Sequence, residues 1–168
     1  MKIRLARAAL KDFPNYQKWF RNPKNRQWLG TPFCELDYNI AFHAAWIRKN
    51  DSVVYTIYEG RTPIGCASAL AVDRKNKNAN IILVLGDKKF RGRGIAAKAG
   101  NLFLRKMFFR HGLRSVYAWA VETNAASVRI IERNNFTRVG IQRRSHKING
   151  VYKNRILFDL LKEEFIEL

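Results

Sequence analysis

A chain of 168 residues is long enough for one domain with a packed core, and 47% hydrophobic content excludes a disordered polypeptide. No apolar run approaches the roughly 20 residues that span a bilayer, and Met1-Lys2-Ile3-Arg4 leads into no long apolar stretch, so neither a membrane span nor a signal peptide is expected. Lys and Arg outnumber Asp and Glu by 32 to 13, a net charge of +19 that attracts polyanions and repels polyamines.

Ile3 to Leu5 alternates with Arg4 and predicts a first strand. Asp12-Phe13-Pro14 predicts a helix start, with a capping acid and proline in the first turn; Phe13, Tyr16, Trp19 and Phe20 give that helix an apolar side, and Pro23 with its polar neighbours ends it. Leu36, Ile40, His43 and Ile47 recur at helical spacing and predict a second helix from about Leu36 to Lys49. Ser52 to Tyr58 alternates as a strand, Glu59-Gly60-Arg61 is a turn, and Thr62 to Val72 is a third strand with a bulge expected at Gly65. A polar hairpin loop, Asp73 to Asn78, leads into a fourth strand from about Ala79 to Leu85. After a glycine-rich basic turn, Ala96 to Phe109 carries apolar residues at helical spacing and stops at His111-Gly112. Ser115 to Val121 reads as a strand, and Thr137 to Ile148, Asn149-Gly150 and Val151 to Leu161 read as a hairpin. Cys34 and Cys66 lie far apart with no metal-ligand spacing, so two buried free thiols and no metal are expected, in a reducing cytoplasm. Trp28 and Trp46 are expected to pack rather than to stack on substrate.

The junction between the fourth strand and the next helix, Leu85-Gly86-Asp87-Lys88-Lys89-Phe90-Arg91-Gly92-Arg93-Gly94-Ile95-Ala96, carries the chemistry. Strand, glycine-rich turn and helix form a phosphate cradle: glycines let backbone N–H groups converge on an anion, and the helix N-terminus adds partial positive charge. Arg91 and Arg93 add full charges with forked donors. A P-loop is excluded, because no Lys-Ser or Lys-Thr follows the glycines. A dinucleotide fingerprint fits only in its first half, since the following strand carries no acid before Glu122. A solvated basic turn is the reading without function.

Arg91-Gly92-Arg93-Gly94-Ile95-Ala96 resembles the [QR]-x-x-G-x-[GA] loop of the GNAT superfamily, the GCN5-related N-acetyltransferases, and Asn124 to Phe136 resembles that family's second signature, N-x-x-[AS]-x-[RK]-x-x-E-[KR]-x-G-F. The opening Ile3 to Asp12 and the closing Ile148-Asn149-Gly150-Val151-Tyr152 resemble its ends, so the likeness runs through nearly the whole chain. Within the superfamily it most resembles the branch of ribosomal-protein N-terminal and spermidine acetyltransferases. The resemblance implies one α/β domain over residues 1–168, with a central mixed, mostly antiparallel twisted sheet of about seven strands flanked by helices. It implies acetyl-coenzyme A as co-substrate, its pyrophosphate on Arg91, Gly92, Arg93, Gly94, Ile95 and Ala96, with Arg133 nearby, and its pantetheine arm along Leu83, Val84 and Leu85. By the same resemblance Ser127 hydrogen-bonds the coenzyme sulfur and Asn124 the pantetheine or thioester; Asn and Ser also favour helix N-termini, so the pair can act as a cap.

The family's frequent glutamate on the fourth strand falls here on Asn80, and its frequent tyrosine in the second signature falls on Ile131. Candidate bases are therefore few: Glu122 at the end of the fifth strand, which an arginine can also pair, and Glu35 between the first two helices. His43 is expected to pack, and His146 and Tyr152 lie on the last hairpin, where Tyr152 can orient substrate. The acceptor implied is a primary amine, on a peptide N-terminus such as that of a ribosomal protein or on a nucleotide-linked amino sugar. The charge serves solvated faces or an anionic partner such as RNA. The competing reading is a GNAT-fold nucleic-acid-binding module of weak catalysis; a monomer or homodimer fits either.

Overall fold

The computed structural model describes residues 2–35 and 37–168. Seven strands form one sheet in the order β1-β2-β3-β4-β5-β7-β6. They are β1 Ile3–Arg7, β2 Val53–Glu59, β3 Thr62–Asp73, β4 Asn78–Leu85, β5 Ser115–Val121, β6 Thr137–Ile148 and β7 Val151–Leu161. Every pairing is antiparallel except β4 with β5, which run parallel. A parallel neighbour needs a crossover, and α4 (Ile95–Arg105) supplies it between β4 and β5. The other helices are α1 Phe13–Arg21, α2 Pro23–Arg26, α3 Ile40–Arg48 and α5 Ala125–Arg133.

Strand alternation splits the apolar residues between two faces. One face buries Val53, Tyr55, Ile57, Ala79, Val116, Ala118 and Ala120 against Ile95, Ala99, Phe103 and Leu104 of α4 and Val128 of α5. The other buries Val54, Cys66 and Val84 under Tyr16, Trp19 and Phe20 of α1 and Trp46 of α3. The aromatic residues predicted for the first helix thus form its core face. Tyr16, Phe20, Tyr38 and Trp46 meet ring to ring, with Phe20 and Tyr38 stacked at 4.9 Å. Burying such side chains is worth roughly 1.5–3 kcal/mol each.

Several expectations shift. Asp12 does not cap α1: its backbone is already helical. Its buried carboxylate instead accepts from the Ala9 N–H, Thr56 Oγ1 and Tyr58 Oη at 2.9–3.1 Å. A buried charge needs such donors, and three nearby groups outcompete the helix end. The second helix starts at Ile40, because Asn39 accepts from the Phe42 N–H at 2.9 Å and so caps it; Leu36 lies outside the described residues. The predicted helix from Ala96 ends at Arg105 and continues as a π-turn, Lys106–Arg110. A bulge does occur beside Gly65, where Ile57 pairs with Gly65 but Tyr58 with Pro63. Cys66 is buried; Cys34 is only half-buried and both thiols are free. Trp46 is buried as expected, whereas Trp28 is half-buried.

Candidate active site

β4 and β5 pair over three rungs only, Asn78 with Ser115, Ala79 with Val116 and Asn80 with Tyr117. Beyond them β4 runs on to Leu85 beside β3, and β5 runs on to Val121 beside β7, with no pairing between the two. A wedge therefore opens inside the sheet toward the carboxyl ends of both strands. Leu83, Val84 and Leu85 form one wall, and Ala118 to Val121 form the other. Strand edges without a neighbour present N–H and C=O groups that an extended, amide-bearing chain can complete. At the last rung stands Asn80, whose side-chain oxygen is buried without a partner among the described residues. Alternation places it on the face of Ile82 and Val84, under α1 to α3.

The glycine-rich turn closes the β4 side. Gly86 is packed against the Trp19 ring, which a Cβ at that position would meet at 2.0 Å, so only glycine fits. Asn25, buried in α2, fastens the turn: its amide donates to the Trp19 and Gly86 carbonyls at 3.0 and 3.1 Å, and its Oδ1 accepts from Arg91 at 2.6 Å. Lys18 pairs with Asp87 at 3.1 Å on the outside. Gly92 and Gly94 have φ of +74° and +72°, with open space where a Cβ would lie. The first helical bond at this end runs from the Lys98 N–H to the Gly94 carbonyl at 3.2 Å, so the amides of Gly92, Gly94, Ile95 and Ala96 donate to nothing among the described residues. Open glycines, orphan amides and a helix N-terminus together can cradle an anion. The Arg93 guanidinium is engaged with Glu59 at 2.8 Å, at the rim.

The β5 side ends in the second group of predicted residues. Asn124 is the N-cap of α5 and accepts from the Ser127 N–H at 3.3 Å. The Ser127 hydroxyl itself has no partner among the described residues and is half-exposed. Capping and availability thus coexist, since the cap uses the Ser127 amide. Glu122 is held by Asn154 rather than by an arginine: its two carboxylate oxygens accept from the Asn154 backbone and side-chain N–H groups, each at 3.0 Å. Ile131 is packed against the core. Arg133 is exposed in the last turn of α5. Tyr152 lies near the hairpin tip, 59% exposed, with Lys147 over its ring at 5.3 Å.

Three residues brace the surroundings of the wedge: His146, which the sequence placed on the last hairpin, and Arg155 and Asn25, to which it gave no role in the site. Arg155 lies over the Trp119 ring at 3.9 Å and donates to His146 Nδ1 at 3.1 Å, which leaves His146 Nε2 to donate to the Gln27 carbonyl at 2.7 Å. The buried His146 is therefore a strut between the last hairpin and the segment after α2. Asn25 completes the three. Nothing in the linear order pairs these residues; only the fold does. His43 is buried and packed as expected, its ring between the Tyr38 hydroxyl and the Ala9 carbonyl at 2.6 and 3.0 Å. Glu35 is exposed and accepts from Thr31 Oγ1 at 3.3 Å. Burial pushes the Cys66 thiol well above its usual range, so it forms no thiolate. Among the described residues no cluster of His, Cys, Asp and Glu could hold a metal ion, and no helix is long and apolar enough to cross a membrane.

The family model described as acetyltransferase (GNAT) domain matches residues 2–137. A probable N-acetyltransferase, YjcK of Bacillus subtilis (strain 168), is 28% identical over 111 residues, 66% of this chain and 61% of its own length; the chain thus spans about three fifths of that relative. The crystal structure of spermidine N-acetyltransferase from Vibrio cholerae in complex with CoA and spermine superposes with a TM-score of 0.87, at 17% identity, over 96% of each chain. RimL, a ribosomal L7/L12 alpha-N-protein acetyltransferase in complex with coenzyme A, superposes with a TM-score of 0.83, at 21% identity, over 96% of this chain and 94% of its own.

Proposed function

The chain belongs to the GNAT acetyltransferase domain family, and from that membership we propose that it moves an acetyl group from acetyl-coenzyme A to a primary amine by direct transfer in a ternary complex. The wedge between β4 and β5, capped by the cradle at the start of α4, carries this reading. The co-substrate supplies an activated acetyl thioester. The backbone of Leu83, Val84 and Leu85 pairs with its pantetheine amides. Gly92, Gly94, Ile95 and Ala96 hold the pyrophosphate through their N–H groups, while Arg91, Arg93 and Arg133 contribute charge. A main-chain N–H of the β4 wall polarises the thioester carbonyl.

Ser127 Oγ donates to the departing sulfur, and the Asn124 amide, whose oxygen is already committed to the cap, donates to the thioester or the arm. Asn80 can accept a hydrogen bond from the incoming amine but cannot take its proton near neutral pH. The amine's proton therefore passes to water, with Glu122 fixing Asn154 as a positioning residue beside the transfer point. Tyr152 lines the approach. No acyl-cysteine forms on the buried Cys66. The acceptor is a protein N-terminus or a nucleotide-linked amino sugar, since a surface of charge +19 repels polyamines. That same charge favours a second reading, docking on RNA; a binding constant that falls steeply with salt would mark it.

Calorimetry with acetyl-coenzyme A, followed by mass-spectrometric detection of acetylated peptide amines and amino sugars, tests the reading. Gly94→Asp places a carboxylate at the cradle and forces a side chain to φ +72°. It should weaken acetyl-coenzyme A binding by about tenfold or more, a loss of about 1.4 kcal/mol. Gly94→Ala should lose less, because it carries the strain without the charge. Unchanged affinity in Gly94→Asp would place the pyrophosphate elsewhere.

A further inference from the structure

β6 does not pair evenly with β7. Gln142 stands opposite Arg155 and His146 opposite Lys153, so Arg143, Arg144 and Ser145 all face the single residue Asn154. Arg144 sits at φ +50°, in the left-handed region that residues with a side chain rarely adopt. The distortion is held from several sides. Asn154 Oδ1 accepts the Arg144 N–H at 2.9 Å, the Glu122 carboxylate grips Asn154, and Ser145 Oγ donates to the Gln142 carbonyl at 2.9 Å. A hairpin alone has no need of this bulge, because Asn149-Gly150 already makes its turn. Strain kept in place by neighbours marks functional backbone.

The bulge gathers Gln142, Arg143, Arg144, Ser145, Asn154 and Arg155 around one concavity. Neither the Arg143 nor the Arg144 guanidinium has a hydrogen-bond or ion-pair partner among the described residues. Arg155 adds a third guanidinium, whose Nη2 donates to His146 Nδ1 at 3.1 Å and whose Nε–H is buried with no acceptor among the described residues. Desolvation already draws the Arg155 guanidinium below its ordinary pKa, consistent with an environment short of negative charge. The Glu122 carboxylate beside the bulge has both oxygens occupied by Asn154. Glu122 directly follows Val121, the last residue of the β5 wall, and Arg155 covers Trp119 on that wall. The concavity therefore opens beside the end of the wedge where the amine must arrive.

We propose that the β6 bulge is an anion subsite that binds a phosphate group carried by the acceptor amine, held by Arg143, Arg144 and Arg155. This rests on the transferase reading and narrows its acceptor to a phosphate-bearing amine. The decisive test titrates inorganic pyrophosphate calorimetrically into the full chain saturated with coenzyme A, which occupies the α4 cradle. The wild type should bind. The double variant Arg143→Ala/Arg144→Gly, in which glycine keeps the left-handed backbone, should bind about tenfold more weakly or worse. In parallel, glucosamine 1-phosphate should show a KM about tenfold below that of glucosamine in the wild type, and the variant should level the two with the acetyl-coenzyme A KM unchanged.

No pyrophosphate binding to the saturated wild type, or equal binding by the variant, overturns the subsite. So does acetylation of glucosamine and its phosphate with equal KM, while leaving the transferase intact. Absence of coenzyme A binding overturns the transferase reading instead, and the difference in pyrophosphate affinity between wild type and variant still decides the subsite. A single-stranded RNA bound in preference to pyrophosphate, and lost in the same variant, overturns it in favour of a nucleic-acid contact.

Discussion

Asn25 shows how much one buried amide can organise. Its three side-chain hydrogen bonds join α1, the start of the glycine-rich turn and Arg91, so the helices on one face of the sheet hold the turn that opens α4 on the other. Asn25→Ala would leave two carbonyls and an arginine without their partner. We expect a stability loss of about 1–3 kcal/mol, read from the urea midpoint, and a weaker coenzyme A affinity, read by calorimetry. An affinity that survives unchanged would show that Arg91 needs no anchoring. Gly86 is the complementary case, where the absence of a side chain lets the Trp19 ring seat the turn.

At the scale of elements, the N-terminus of α5 separates two roles that share residues. The cap joins Asn124 Oδ1 to the Ser127 amide, so the Ser127 hydroxyl is not part of it. Ser127→Ala should therefore leave stability within about 0.5 kcal/mol and lower kcat about tenfold to a hundredfold. Asn124→Ala should cost about 1 kcal/mol through the lost cap. Thermal unfolding beside steady-state kinetics checks both, and a Ser127→Ala protein with normal kcat would remove the hydroxyl from the chemistry. Most strands and helices were legible in the sequence because their apolar periods are local. The start of α3 was misplaced because the spacing from Leu36 continues past the point where Asn39 caps the helix. The β6 bulge was hidden because Thr137 to Ile148 reads as one uninterrupted strand, and only pairing with β7 exposes the extra residues. The strands bordering the wedge were legible, but their parting was not: it is a property of two segments 30 or more residues apart.

Over the whole molecule, charge is the dominant field. With +19 on one small domain, association with a polyanionic thioester should be steered. The association rate of acetyl-coenzyme A should fall about tenfold or more between about 0.05 and 0.5 M salt, as screening shortens to a few ångströms, with a smaller change in dissociation. Stopped-flow measurement across that range checks it, and a flat rate would confine the charge to solubility. The wedge has one more consequence. Main-chain amides are indifferent to what side chain they bear. Under the proposed reading, in which such amides clasp the thioester, residues along the rim, Arg143 and Arg144 among them, could be exchanged to give a new taste in amines without loosening the hold on the donor.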